Sequence, residues 1–588
     1  MARRSASASP RWLWRLVLVP LPFLVALPFL GDPSFSLIDD GVTLDVARRM
    51  DANEMREKGD GSGERHSRWW FVETEHGRVR PVYWWWLWLN HKLFGLDCRA
   101  WHWGLAAAIA LVLQLAYSIS YRVTGSVLAS VLAGALMVAF HPCAEAFTRL
   151  GLGETPMLLL LGVSVLCLVR GYSLGPRVPE EKQALFWVCL VGSVVPLCLA
   201  YFVKETSVVM LPVSVVMLAA LWRRGADGRS KALLVGYLAA NVAAAAALAG
   251  HVLPTLGSGE YSRLYNYDRL DWALQNAGQY VRYVVEAWLV LPVVAAVSLV
   301  VRLVRARRRG GLAGPQRWQL VWIAFLAGYV VVLAPWGGSS VAIARYLLPL
   351  AMFGGLFMGQ EVAWLVQRAR QALAEPGAVG TKPRKGARKR RATRDRRVLG
   401  YAALVLLVVA VAGTAGVNAW LARKAVVSSY RLEAANGNLL RLLAAEAPRD
   451  RPLYVNLSTD EAEIRYEIGL HLAMIHGRED FRRDRSVQFL SNPAHGGERE
   501  RMSLPEPGEW VLAPEGNYRY AMRFAEAVWL ADWKRVALVD RRGWRWYTHE
   551  PRDVAELTEA YDDLDCGWVV IEAGPKAAVL EPLPEEYR

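Results

Sequence analysis

Long apolar runs dominate this chain of 588 residues and decide what it can fold into. A run of about 20 predominantly apolar residues is long enough to cross the hydrocarbon core of a bilayer as a helix. We predict about eleven such spans, at residues 12–30, 101–120, 126–141, 155–169, 184–203, 206–222, 232–252, 277–301, 318–335, 344–366 and 399–422. With 54% hydrophobic residues and 25 tryptophans, the chain is predicted to be a polytopic α-helical membrane protein, which excludes a soluble fold.

Positive charge is concentrated in the loops that alternate threading of these spans places on one side of the membrane. Residues 382–397 hold ten Lys or Arg and one Asp, and between two spans such a tract indicates a cytoplasmic loop rather than a nucleic-acid patch. Arg3, Arg4, Arg11 and Arg15 place the N-terminus in the cytoplasm, and the following run lacks a small-residue cleavage site. We therefore expect a multi-pass protein of the inner (plasma) membrane, with a signal anchor and no nucleic-acid partner.

Two domains are predicted. Residues 1–422 form the membrane domain, with a first outer loop at 31–100 and a basic cytoplasmic loop at 367–398. Residues 423–588 form a soluble extracytoplasmic domain, in which short β-branched and aromatic runs predict strands. The strands are expected at Pro452–Leu457, Trp510–Ala513, Arg535–Val539 and Trp568–Glu572, and a helix at Asp460–His476. This pattern favours a small α/β domain.

The first outer loop begins with two adjacent carboxylates, Asp39 and Asp40, just beyond the first apolar run. Ionisable groups at the mouth of a span are costly unless they are used, so the pair is a candidate base for chemistry at the bilayer surface. The alternative is that they are ordinary acids at the start of a short helix, where the macrodipole favours them. Further along, Arg80–Leu96 is rich in Trp and Tyr, which predicts a helix lying along the outer membrane surface.

The second outer loop reads HPCAEAFTRLGLGE and contains His141, Glu145, Arg149 and Glu154. A solvated loop would hold these groups at little cost. Beside spans as apolar as these, they are expected to border an aqueous cavity.

Two further outer connections carry charge. Lys204 and Glu205 lie in FVKETS, where they either pair with each other at a hairpin turn or contribute to a site. Arg345 and Tyr346 lie in ARYLLP at the start of a span, where Arg345 either snorkels to the interface or anchors a lipid phosphate. We predict that Arg345, with Lys204 or Arg80, holds a lipid phosphate.

The sequence gives little sign of a metal or cofactor. The six cysteines show no CxxC pairing, so neither zinc nor a disulfide framework is indicated. A divalent cation (Mg²⁺ or Mn²⁺) at Asp39 and Asp40 stays open as an alternative, although two adjacent acids do not complete an oxygen shell.

Three motifs follow the outer Asp-Asp pair in order: RPVYWWWLWLNHKLFGLDCRAWH, HPCAEAFTRLGLGE and VKETSVVMLP. Together they resemble the transmembrane and tetratricopeptide-repeat containing protein O-mannosyltransferases, a family of GT-C glycosyltransferases. The resemblance covers roughly Asp32 to Pro212, and RYLLP at Arg345–Pro349 is similar to many GT-C enzymes. It implies a GT-C-like fold, although the chain lacks the tetratricopeptide tail of that family.

The resemblance also implies residue roles. Asp39 and Asp40 would hold the catalytic carboxylate and Glu145 would be a supporting acid, while Lys204 and Glu205 match the family's Lys-Glu pair. The family usually has Gly-Arg after its HPxxEA stretch, whereas here Leu152 follows Gly151 and Arg149 is the nearest base. The candidate substrate-binding residues are thus Arg80, Arg149, Lys204, Glu205, Arg345 and Tyr346.

The chemistry expected from the residues agrees with this resemblance. Nucleotide sugars are cytoplasmic, no Gly-rich phosphate loop or inward-facing DxD is present, and the candidate acids face outward, so an activated sugar must arrive on a lipid. We expect a membrane glycosyltransferase that moves a sugar, mannose by the resemblance, from a polyprenyl phosphate to a hydroxyl of a protein or glycan acceptor, with inversion and an outer-loop Asp as base.

Two other classes of protein stay open. A lipid or solute transporter (a flippase) should show acids buried mid-span and paired broken helices, whereas the acids here cluster in outer loops. A scaffold that displays the outer domain has no use for an outer cluster of carboxylates and cations.

Overall fold

The computed structural model describes residues 13–37, 40–52, 80–174, 183–222, 228–252, 270–289, 291–308, 312, 314–335, 344–374, 386–449, 451–455, 462–482, 486–489, 505–516, 532–562, 564 and 566–575. Asp39 and the side chains of Glu145 and Arg345 lie outside this described part.

The first apolar run does not form one continuous helix, contrary to the span expected at 12–30. It forms the short helices α1 (Leu13–Leu16) and α2 (Pro20–Val25), followed by a 3₁₀ helix at Leu27–Leu30. Proline has no amide hydrogen and clashes with the preceding turn, so it fits best in the first turn of a helix. Pro20 and Pro28 therefore each lie where a new helical segment starts.

Most of the other expected spans are helices. Helices α3 (Asp40–Ala52) and α4 (Pro81–Phe94) precede α5 (Cys98–Thr124), α6 (Val127–Val138), α7 (Glu154–Ser173), α8 (Gln183–Tyr201), α9 (Met210–Leu221), α10 (Gly228–Val252), α11 (Leu270–Trp288), α12 (Leu291–Arg308), α13 (Gly314–Leu333) and α14 (Leu348–Ala374). Shorter 3₁₀ helices cover His141–Phe147, Glu205–Val209 and Ala344–Leu347.

The chain is a multi-pass membrane protein. Among the described residues, seven helices are long and apolar enough to cross a membrane, or eight if α11 and α12 together form one span. The shorter apolar helical segments Leu13–Val25, Val127–Val138 and Glu205–Leu221 coincide with three further expected runs. The total of eleven stays a prediction.

The run expected as one span at 277–301 forms two helices with different directions. Helix α11 ends at Trp288, α12 begins at Leu291, and the pair is bent by 96°. Leu289 between them has a φ of 50°, a left-handed conformation that residues with a Cβ rarely adopt. A single straight span is therefore wrong for this run.

Helix α14 is the most buried of the candidate spans, because 89% of its most apolar stretch of 18 residues is buried inside the described part of the molecule. Gly355 and Gly359 lie so close to α6 that a Cβ on either would meet backbone atoms of Ala133. Small residues let helix backbones approach closely in a membrane, where packing rather than the hydrophobic effect drives association. These glycines therefore set the distance between α6 and α14.

A buried carboxylate also joins α14 to its neighbours. Glu361 accepts hydrogen bonds from Ser298 Oγ and Arg302 Nη1 of α12, each at 2.6 Å, and from Gln319 of α13. The sequence had suggested that the acids cluster in the outer loops. Glu361 is instead an acid buried between three helices. Arg302 neutralises this buried acid, as a charge in such a place requires.

The last helix of the membrane domain is far longer than expected. Helix α15 (Gly386–Glu446) has 61 residues, which is about 90 Å at 1.5 Å per residue. It includes most of the basic tract that the sequence predicts as a loop, and the expected boundary at 422/423 falls inside it. The absence of proline from these residues permits the continuous helix.

The C-terminal region is an α/β domain. Its strands are β1 (Leu453–Val455), β2 (Val487–Phe489), β3 (Trp510–Gly516), β4 (Trp533–Asp540), β5 (Gly543–Thr548) and β6 (Cys566–Ala573), and its helices are α16 (Ala462–Met474) and α17 (Pro551–Asp562). The sheet has the order β2-β1-β3-β6-β4-β5, with β1 parallel to β2 and β3 and the other pairs antiparallel. The predicted fold class, a polytopic helical membrane protein with a C-terminal α/β domain, is confirmed. Strands β2 and β5 and helix α17 were not predicted.

Alternate residues of the sheet pack on opposite faces, as the period of a strand requires. Trp568 and Val570 of β6 pack with the last turns of α15 and with α16, whereas Val569 and Ile571 pack on the side of α17. Arg478 donates to the carbonyls of Leu443 and Ala444 in the last turn of α15 and to that of Ala447, the residue just after it. The end of α15 is therefore part of the core of the domain.

Candidate active site

The motifs predicted to lie in outer loops are bonded to one another around α4. Arg80, just before α4, binds Glu205 through both Nε and Nη2, at 2.8 to 3.0 Å. Tyr83 on α4 donates its hydroxyl to the carbonyl of Gly151 at 2.6 Å. Two motifs far apart in sequence are thus each bonded to α4.

Lys204 and Glu154 form a second, deeply buried ion pair. Lys204 Nζ lies next to Glu154 Oε1, and it also lies 3.9 Å from the ring centre of Tyr346. Burial lowers the pKa of Lys204, and the Glu154 carboxylate opposes this effect. Lys204 and Glu205 therefore each bind an oppositely charged residue from another segment of the chain.

Asp40 is the first residue of α3, and it is buried, with 3% of its surface exposed. Its Oδ2 accepts a hydrogen bond from the amide of Ser36 at 2.9 Å. Hydrogen bonding to a carboxylate stabilises its charged form, which is the form that a base needs. Asp39, the competing candidate, lies outside the described residues.

Helix α16 of the C-terminal domain reaches the start of α3. Glu467 Oε2 accepts from the amide of Gly41 at 2.6 Å, and Oε1 accepts from the amide of Val42 at 2.9 Å. His471, one turn further along α16, places Nδ1 3.5 Å from Glu467 Oε2. The C-terminal domain therefore contacts the residue directly after the candidate base.

A further acid from α15 lies near the same place. Glu433 is buried, interacts electrostatically with Asp40 and Arg149, and its Oε2 has no hydrogen-bond partner among the described residues. The Cys98 thiol at the start of α5 also lies within electrostatic range of Asp40. Glu433 of α15, Glu467 of α16 and the Cys98 thiol of α5 thus lie near the start of α3, and Arg149, from the loop after the 3₁₀ helix, interacts with Glu433.

The other predicted site residues are only partly placed. The backbone of Glu145 lies in the 3₁₀ helix His141–Phe147, and that of Arg345 lies in Ala344–Leu347, next to Tyr346. His141 Nδ1 lies 2.6 Å from Asn418 Oδ1 of α15, so this loop packs against the long helix. The roles predicted for Glu145 and Arg345 stay predictions.

No cluster of three or more His, Cys, Asp or Glu side chains that could hold a metal ion occurs in the described part of the chain. Asp39, one of the two acids considered for a divalent cation, lies outside that part.

Sequence reasoning missed Glu433, Glu467 and His471. All three lie in helices whose local sequence is ordinary, and only the docking of α15 and α16 brings them to α3. The one local signal was Gly41, since a glycine inside a predicted helix often marks a close approach.

No protein-family model and no curated protein sequence matches the chain. Among solved structures it is similar to ArnT from Cupriavidus metallidurans bound to undecaprenyl phosphate, with 14% identity, a TM-score of 0.45, and coverage of 96% of this chain and 98% of that chain. It is also similar to the oligosaccharyltransferase of Archaeoglobus fulgidus tethered with an acceptor peptide, with 11% identity, a TM-score of 0.46, and coverage of 83% and 64%. The arabinosyltransferase EmbB from Mycobacterium smegmatis has 14% identity, a TM-score of 0.36, and coverage of 73% and 42%. These are similarities of the backbone fold at low sequence identity, and no residue role follows from them.

Proposed function

We propose that this protein is a GT-C-type membrane glycosyltransferase that moves a sugar from a polyprenyl phosphate to an acceptor hydroxyl, with Asp40 as the base. The sugar implied by the motif resemblance is mannose. The acceptor would be a protein or glycan at the outer face of the inner membrane.

One observation carries the proposal: the motif segments behind the resemblance are bonded to one another. Arg80 binds Glu205, Tyr83 binds Gly151, and Lys204 contacts both Glu154 and Tyr346. Lys204 and Glu154 are buried and Arg80 and Glu205 are half-buried. Charged groups enclosed in a membrane bundle are costly to maintain and usually mark a substrate site. The candidate base lies beside this set, through the interaction of Glu433 with both Asp40 and Arg149.

The reaction is a single displacement. The Asp40 carboxylate takes the proton of the acceptor hydroxyl while its oxygen attacks the anomeric carbon. The bond from that carbon to the phosphate oxygen breaks, and the polyprenyl phosphate leaves with the electron pair. Because the base and the leaving group lie on opposite faces of the sugar, the configuration is inverted.

Cations would stabilise the departing phosphate. Arg80 and Lys204 each bind a carboxylate in this structure, so their charge is already balanced. We assign the phosphate first to Arg345, because a guanidinium offers a bidentate fork, and we assign a second contact to Lys204, which would share its charge between Glu154 and the phosphate.

The test is a set of substitutions assayed for transfer of radiolabel from polyprenyl-phosphate mannose in membranes with equal protein levels. A positioned base supplies a factor of about a hundred to ten thousand, so Asp40→Asn should lose transfer by that factor. Asp51→Asn is the matched control, because Asp51 lies on the same helix and pairs with Lys92. Retained transfer by Asp40→Asn together with loss in Asp39→Asn would move the role to Asp39. Retained transfer by the double variant would remove both from the mechanism.

A further inference from the structure

The first turn of α3 is capped by a residue that lies more than four hundred positions away in the sequence. Glu467 is 1% exposed, and its two oxygens accept from the successive amides of Gly41 and Val42 at 2.6 and 2.9 Å. The first amides of a helix have no partner within the helix and need one from elsewhere. Here that partner belongs to another domain.

Gly41 makes this contact sterically possible. A Cβ at this position would overlap Glu467 Oε2, and it would lie 2.8 Å from Nδ1 and Cε1 of the His471 ring. The backbone of α3 therefore approaches α16 at the one position of its first turn that has no side chain.

Glu467 is itself held in place. His471 Nδ1 lies 2.7 Å from the backbone carbonyl of Glu467 and 3.5 Å from its Oε2. The ring of Phe35, on the segment that leads into α3, lies 6.4 Å from the His471 ring. Both the carboxylate and the helix that it caps are thus packed around one imidazole.

We propose that Glu467 is a positioning residue for Asp40, so that the C-terminal α/β domain is a component of the catalytic site. This inference rests on the proposed function, because it takes Asp40 as the base. By binding the amides directly after Asp40, Glu467 fixes the first turn of α3, and with it the direction of the Asp40 side chain. It also places a second negative charge beside the base.

Two consequences separate this role from simple stabilisation of the domain. A displaced base reacts slowly, because errors of about 1 Å in placement cost up to a hundredfold in rate. Removal of the neighbouring negative charge makes ionisation of Asp40 easier, so the acidic limb of the profile of kcat/KM against pH should move to lower pH. Among the described residues, the charged and titratable groups near Asp40 include Glu433 of α15, which interacts with Arg149, Cys98 of α5, and Glu467 and His471 of α16.

The experiment compares Glu467→Gln and Glu467→Ala with Asp553→Asn in the full-length purified protein. Asp553 is the matched control because it also accepts from a backbone amide in the same domain, that of Thr548, but it lies on α17. We expect Glu467→Gln to lower kcat by about tenfold and to move the acidic limb down by about half a pH unit or more. Glu467→Ala should lower kcat further. Asp553→Asn should change neither quantity.

The outcomes are distinguishable from a failure of the proposed function. If Asp40→Asn is inactive while both Glu467 variants keep normal kcat and an unmoved acidic limb, the inference is overturned and the function stands. A loss of activity without movement of the limb, equalled in Asp553→Asn, would also overturn it, because only stability would have changed. If Asp40→Asn keeps full activity, the proposed base and this inference both fail.

Discussion

His471 is a buried imidazole that the fold keeps neutral. It is fully enclosed, and burial lowers its pKa to about 4 from an ordinary value of 6.5. Its contact with the Glu467 carboxylate is therefore not an ion pair at neutral pH, although the two groups lie 3.5 Å apart. The neutral ring serves as a packing surface for the residues that hold the start of α3.

This histidine makes the stability of the chain depend on pH. Between pH 6.5 and about 4 the unfolded chain binds the proton more readily than the folded one, so the stabilisation is complete above pH 6.5 and is lost as pH falls through 4. The whole effect is on the order of 3 kcal/mol. Thermal unfolding in detergent at stepwise lower pH should show this decline, and His471→Gln should flatten it. An equal flattening in His549→Gln, an exposed histidine of the same domain, would contradict this assignment.

The sequence made Asp40 a candidate base, together with Asp39, but gave no sign of the residues that surround Asp40 in the structure. Asp40 lies in an ordered set of motifs whose chemistry can be recognised along the chain. Glu467 and Glu433 are single acids on helices, and a single acid on a helix is most often a solvated charge. Their position depends on the packing of α16 and α15 against α3, which no local pattern encodes.

At the scale of helices, apolar length predicted where most of the spans lie, and prolines and a turn decided where two of the runs break. The prolines at 20 and 28 broke the first run, and the turn at Leu289 divided the run at 277–301. Run length alone could not show these breaks, because it counts apolar residues and ignores backbone hydrogen bonds. The basic tract was predicted as a loop because of its charge. Its charge gave no sign that most of the tract is helical.

The packing of α14 against α6 gives a prediction at this scale. Gly355→Ala places a methyl group against the carbonyl oxygen of Ala133, which cannot move without displacing α6. Overpacking of this kind costs about 1 to 3 kcal/mol, more than the roughly 1 kcal/mol that alanine gains over glycine in a helix. The unfolding temperature in detergent should therefore fall.

Gly416→Ala is the control for this substitution. Gly416 lies in α15, and a Cβ there meets nothing within 4 Å. The unfolding temperature of the Gly416→Ala variant should stay the same or rise slightly. If Gly355→Ala behaves as Gly416→Ala does, the close approach of α6 and α14 is not rigid.

At the scale of the whole molecule, helix α15 connects the basic tract to the α/β domain. We predict that the tract at 382–397 lies in the cytoplasm and the C-terminal domain lies outside, because basic loops are retained on the cytoplasmic side. At about 90 Å, the helix is roughly three times as long as the hydrocarbon core is thick. It is long enough to have both ends in water.

Protease treatment of intact spheroplasts measures this arrangement. The protease should remove the C-terminal domain and spare the tract. After permeabilisation, the tract should be cleaved as well. Cleavage within the tract before permeabilisation would refute the orientation.

Because α15 is unbroken, it also fixes how the α/β domain is rotated about the helix axis relative to the membrane helices. Thr414, Asn418, Ala422, Val426 and Glu433 are all buried, at intervals of four residues or of seven, so one face of the helix runs from the membrane to the site. Because each residue advances the helix by about 100°, one residue inserted after Lys424 would turn Glu433 and the attached sheet that far around the axis, away from Asn418. This helix should therefore accept only insertions and deletions close to a whole number of turns. Only those changes keep the orientation of the α/β domain relative to the membrane helices.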